Sequence, residues 1–119
     1  MENFEKIKPG MTSEQAIVIE EKHATFHLSK PVLSTPMMID MMETVCEKLI
    51  HSLIPSELTS VGCEVNIKHK APAFLGSQVK VWCEVQEIDG RKMLLKVRVT
   101  QGDKVIGEGL HRRTIVPNG

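Results

Sequence analysis

A hydroxyl, a carboxylate and an imidazole stand where one reaction could use all three. Thr35 lies in LSTPMM, at the start of the only long helical pattern in the chain. Glu43 follows eight positions along that pattern, and His69 closes the alternating run VGCEVNIKH. These are the groups that activate water or a nucleophile against an acyl carbon. A helix start, a helix interior and a strand end place them at a junction of helix and sheet.

Each residue also has a structural use. Thr35 ahead of Pro36 suits an N-cap, and the same helix terminus offers unpaired N–H groups to an oxyanion. Glu43 falls at the margin of the apolar arc. There it is either a surface carboxylate beside Asp40 and Glu47 or a partly buried base. Strand alternation puts His69 on one face with Val61, Cys63, Val65 and Ile67, the face turned to the helix. That makes it a boundary histidine closed by a hydrogen bond, or an imidazole at a pocket edge that titrates near neutrality. Gly62 is a bulge glycine, or a bare backbone that a thioester can approach. His111, Arg112 and Arg113 form a solvated basic face, or a dock for phosphates. Met37, Met38 and Met42 are core, or the lining of an adaptable pocket.

The elements that must position these groups follow from periodicity. Residues 15–21 and 23–28 read as short strands, interrupted by Pro31. From Pro36 to about Ile54 the apolar residues recur with helical spacing. Met38, Met42, Val45, Cys46, Leu49 and Leu53 centre a wide arc, with Asp40, Thr44, Glu47 and His51 opposite. Pro55 ends the helix. Four strands are predicted after it, over 59–70, 78–88, 91–100 and 104–116. Asp89-Gly90 marks a hairpin turn, and Gln101-Gly102-Asp103 another. The order predicts an α+β domain spanning residues 1–119, with a long helix wrapped by an antiparallel sheet. One helix cannot cover both faces of such a sheet, so a face or an edge is expected to pair with another subunit.

Composition narrows the function classes. The chain has 119 residues, enough for one core without staples. Its formal net charge is +0, which disfavours bulk electrostatic capture of nucleic acid or an anionic membrane. Tyrosine is absent and aromatics make up 3%, too few for a stacking platform along single-stranded nucleic acid. Cys46, Cys63 and Cys83 form no CxxC pair, and no second Cys/His pair joins Cys63 and His69, so no metal site is expected. The polar N-terminal run MENFEKIKPGMTSE holds no signal peptide core, and no apolar run reaches membrane-spanning length. A cytoplasmic protein is expected.

Taken together, VLSTPMMIDMMETVCEKLI, SVGCEVNIKHKAPAFLGSQVKVWCEV, EIDGRKMLLKVRV and IGEGLHRRTIV resemble the fluoroacetyl-CoA thioesterase-like branch of the hotdog-fold superfamily. The terminal GLHRR is similar to that family's closing G-x-H-x-R pattern. The resemblance implies a hotdog fold and a homodimer or higher assembly, with acyl-CoA near the subunit interface. It implies hydrolysis of a small or medium acyl-CoA, with coenzyme A as part of the substrate and no further cofactor. Its catalytic residues fall on Thr35, Glu43 and His69, its active-site glycine on Gly62, and the arginine of its closing motif on Arg113. The chain departs from the fluoroacetyl enzyme at Pro36, where that enzyme has glycine. It also departs in HLSKPVL, which lacks its aromatic lid, so fluoroacetate is not the expected acyl group. Two other readings are a hotdog protein that binds acyl-CoA or another small ligand without catalysis, and a hydratase or dehydratase on the same fold.

Overall fold

The structure, a computed structural model, describes residues 6–119. Its strands and helix run β1 (Thr12–Val18), β2 (Ala24–Thr25), β3 (Val32–Leu33), α1 (Thr35–His51), β4 (Leu58–His69), β5 (Gln78–Asp89), β6 (Lys92–Gln101) and β7 (Lys104–Pro117). Five strands form one antiparallel sheet in the order β1-β5-β6-β7-β4, and β2 pairs with β3. The helix lies across the sheet. The last four strands match the sequence expectation within a residue or two.

Alternation explains the core. Val79, Val81, Cys83 and Val85 of β5, and Met93, Leu95, Val97 and Val99 of β6, are buried on the face under the helix. Met38, Met41, Met42, Val45, Cys46 and Ile50 close over them. The expected arc of α1 is therefore its buried face, with Met38 and Met42 core rather than pocket. Cys46 is packing too. The hydrogen bond that its thiol donates to Cys83, and then burial, raise the Cys46 thiol well above the usual range, so it is not a thiolate nucleophile.

The N-terminal half differs from the expectation. Strand β1 starts at Thr12 and ends at Val18, and the second expected strand shrinks to Ala24–Thr25. A single 3₁₀ turn, Glu21–His23, intervenes, closed by reciprocal hydrogen bonds between Glu20 and His23. Local capping there outweighs the short apolar alternation. The helix starts at Thr35 and not Pro36, and its N-cap is Ser34, whose Oγ accepts from the Met37 amide at 3.3 Å. It stops at His51, three residues before the expected end.

Strand β4 carries the largest correction. Its register with β7 slips between Gly62 and Glu64. The extra residue turns Cys63 outward, where its Sγ lies 3.5 Å from the Thr114 hydroxyl. Val61, paired with Thr114, also faces outward. The expected common face of Val61, Cys63, Val65, Ile67 and His69 is thus broken. Ser60 and Gly62 share the helix side with Val65, Ile67 and His69 instead.

Two glycines in β7 permit close approaches, Gly107 to the helix and Gly109 to β4. The Sδ of Met38 lies where a Cβ of Gly107 would be, 2.5 Å away, and a Cβ on Gly109 would strike the Asn66 carbonyl. Gly109→Ala must therefore push β4 from β7. It is expected to cost about 1–3 kcal/mol, read as a lower midpoint in urea unfolding with an unchanged slope.

Candidate active site

The residues under the second half of α1 are polar, which is unusual for a helix–sheet interface. His111 and Arg113 alternate with Ile115 on the buried face of β7, and their exposures are only 1% and 3%. Beside them Ser60 is 5% exposed. A buried guanidinium costs several kcal/mol in desolvation unless its donors are met. Here they are met. Arg113 donates through Nε to Ser60 Oγ at 2.9 Å, through Nη2 to the Ser60 carbonyl at 2.9 Å and through Nη1 to His111 Nε2 at 3.2 Å.

This last bond settles the His111 tautomer. Its Nδ1 lies 2.8 Å from the Glu64 carbonyl, which can only accept. The proton is therefore on Nδ1, and Nε2 accepts from Arg113. Burial holds the His111 ring below the usual imidazole value; the Glu64 carbonyl opposes this less strongly, and the Arg113 charge adds a still smaller push downward. A neutral His111 makes its 3.9 Å approach to Glu43 a contact rather than an ion pair.

Glu43 rests on this platform. Its Oε2 lies 3.8 Å from Arg113 Nη1, and the side chain is 39% exposed. Glu47, one turn on, meets Arg113 Nη2 at 3.8 Å. Gly62 makes the position possible, since any Cβ there would stand 2.8 Å from Glu43 Oε2 and 3.0 Å from His111 Cε1. The network extends to the helix C-terminus, where His51 Nε2 accepts from the Ser60 amide at 3.1 Å and lies 3.2 Å from Ser60 Oγ. Glu47 and His51, expected on the solvent side of the helix, instead complete a stripe with Glu43 that faces β4 and β7.

Arg113 is accordingly not a surface group awaiting a phosphate, contrary to the sequence expectation. Its side chain is 4% exposed, and all three of its nitrogens are engaged from within the chain. Its neighbour Arg112 points outward and pairs with Glu64 at 2.7 Å.

Thr35 and His69 meet elsewhere, at the start of the helix. Thr35 Oγ1 lies 2.8 Å from His69 Nδ1. Because Ser34 takes the capping role, the Thr35 hydroxyl is free for this bond. The pair is at the surface, with His69 partly buried. Burial lowers the affinity of His69 for a proton, against a weaker opposite pull from the Ala71 backbone. A neutral imidazole can take a proton from Thr35 or from a water beside it. Eight residues at about 1.5 Å rise put Thr35 roughly 12 Å from Glu43 along the helix. One chain thus brings together Thr35 with His69, and separately Glu43 with Gly62, His111 and Arg113. It does not bring the two sets together.

Sequence reasoning missed Ser60, Glu47, His51 and the positioning role of His111. The available signal was parity: His111 and Arg113 alternate with Ile115, so a strand with Ile115 inward carries all three inward. Among the described residues, no group of three or more His, Cys, Asp or Glu is placed to hold a metal ion. No helix among them is long and apolar enough to cross a membrane.

One long helix laid over a five-stranded antiparallel sheet defines a hotdog-fold protein. The fluoroacetyl-CoA thioesterase structure superposes with a TM-score of 0.86 at 22% identity, covering 93% of this chain and 89% of that one. A thioesterase superfamily member from Thermus thermophilus does so with a TM-score of 0.84 at 23% identity, covering 93% and 85%. The family model described as fluoroacetyl-CoA-specific thioesterase matches residues 12–119, and the chain belongs to that family. The fluoroacetyl-CoA thioesterase of Streptantibioticus cattleyicolor is 27% identical over 85 residues, 71% of this chain. The match spans 61% of that relative's length.

The two depressed histidines bear on stability. Both bind a proton less readily folded than unfolded, so the unfolded chain takes up more protons as the pH falls below about 6.5. Stability contributed by keeping them neutral is full above that value and is lost on acidification through the lower, folded values. The melting temperature is expected to fall below pH 6.5, and His111→Gln to flatten that slope. An equal slope in the variant, measured by circular dichroism, would remove His111 from the effect.

Proposed function

We propose that this protein is a thioesterase that hydrolyses a small or medium acyl-CoA to the free acid and coenzyme A. The observation that carries the reading is the Thr35–His69 hydroxyl–imidazole bond, in a chain of this family that also holds a half-exposed Glu43 on a buried arginine. A structure of a variant fluoroacetyl-CoA-specific thioesterase contains fluoroacetate and CoA, which supports an acyl-CoA as the ligand class.

The two sets of residues lie too far apart in one chain to reach one thioester carbon. A second copy supplies the solution. Strand β4 is an unpaired edge of 12 residues with Val61 and Val65 exposed, and edges of that length invite pairing. A twofold axis beside β4 would set α1 of each chain against the other, running in opposite directions. Thr35 and His69 of one chain would then face Glu43 of its partner across a shared cleft.

In that cleft Glu43 acts as the base that activates water, or as the nucleophile. Arg113 and Gly62 hold its carboxylate in place. His69 takes and returns a proton, and Thr35 positions the water or is itself acylated. The thiolate of coenzyme A leaves as the carbonyl re-forms.

Release of free thiol from a panel of acyl-CoAs tests this directly. Wild type is expected to turn over at least one member. Glu43→Gln, which keeps the shape of the side chain, should lose about 10²- to 10⁴-fold in turnover. Undiminished turnover in Glu43→Gln would sink the assignment of Glu43, and no release from any member would sink the thioesterase reading.

A further inference from the structure

With Arg113 buried and Arg112 tied to Glu64, the basic cluster of β7 is not available to a polyanion. Another cationic surface is. The ammonium groups of Lys30 and Lys104 each lie 5.9 Å from the centre of the Phe74 ring. Lys104 is further fixed by donating to the Pro72 carbonyl at 2.9 Å. Among the described residues neither lysine has a carboxylate within ion-pair distance, unlike Lys22, Lys70 and Lys80. Two ammonium groups drawn to one ring repel each other, and an anion between them would relieve that repulsion.

The ring is also partly open to solvent. Phe74 is 40% exposed and Leu28 62%. Phe74 and Lys30 form the wall shared by two open hollows of about 340 and about 280 Å³, which Leu28, Pro31, Val32 and Leu75 help to line. Among the described residues, no acidic side chain lines either hollow. An apolar shelf edged by two cations fits a planar base carrying phosphates, because the base stacks while the phosphates take charge-assisted hydrogen bonds.

The shelf is joined to the reacting groups by backbone. Val32 bridges to Phe74, and the Leu33 amide donates to the Ala73 carbonyl at 2.8 Å. Thr35 follows Val32 by three residues, roughly 10 Å of extended chain. His69 precedes Phe74 by five residues in the sequence. A ligand with a thioester at Thr35–His69 and a long neutral arm can therefore lay its far end on Phe74.

We propose that this shelf binds the phosphorylated adenosine end of the coenzyme, with adenine on Phe74 and phosphates between Lys30 and Lys104. The assignment rests on the thioesterase reading for its substrate class. Hydrolysis of one acyl group carried on CoA and on pantetheine, which lacks the nucleotide, separates the two claims. Wild type should show a lower KM for the CoA thioester. In Phe74→Ala, and in the surface double variant Lys30→Glu/Lys104→Glu, that KM preference should shrink at least tenfold, and in the double variant it should also lose its salt dependence. An unchanged preference, or a KM that rises equally for both thioesters, would overturn the proposal. Titration with 3′,5′-ADP decides it even if neither thioester is hydrolysed. Binding that is lost in the double variant supports the shelf, while no binding, or equal binding to both proteins, removes it.

Discussion

The buried guanidinium of Arg113 is the interaction on which the rest of the site depends. A charge with 3% exposure can persist only if every direction around it is polar. That requirement shapes three elements at once. Strand β7 must present His111 as an acceptor, β4 must present Ser60, and α1 must turn Glu43 and Glu47 toward the sheet. The bulge at Cys63 is part of the same solution, since it lets Ser60 and Gly62 face the helix while Val65, Ile67 and His69 do so further along. A carboxylate on this platform is held in one place yet keeps a face toward solvent, which is what a base for water needs.

The other end of the helix obeys a different constraint. Ser34 caps the helix, which frees the Thr35 hydroxyl for His69. Gly107 lets Met38 near the start of α1 lie against β7, and Gly109 lets β4 close on β7, so the strand end that bears His69 comes within reach of Thr35. The helix is thus a rigid spacer with a hydroxyl–imidazole pair at its start and an anchored carboxylate two turns on. In the proposed dimer that spacing becomes useful, because antiparallel helices put unlike ends together.

Much of this was legible in the sequence, and the exceptions share a cause. Alternation over β5 to β7 and helical spacing from Met38 to Ile50 are repeated signals, so those elements could be read directly. The β4 bulge is a single extra residue, and nothing in VGCEV distinguishes it from unbroken alternation. Ser34 and Thr35 are adjacent hydroxyl residues ahead of a proline, so sequence could not choose the cap. Arg113 looked like surface because arginine usually is. Its burial depends on Ser60 and Glu43, which lie 53 and 70 positions away in the chain. Contacts between distant positions, rather than local preference, decided each of these outcomes.

The most direct test of the composite site uses mixed dimers. Thr35→Ala and Glu43→Gln proteins, each expected to be inactive alone, are unfolded together, refolded and assayed for thioester hydrolysis. Each mixed dimer would carry one cleft with both residues intact and one with neither. The mixture is expected to recover about a quarter of wild-type activity, since half of the dimers are mixed and half of their clefts are whole. A mixture as inactive as its parents, with mixed dimers confirmed by mass, would place Thr35 and Glu43 in the same cleft from the same chain and contradict it.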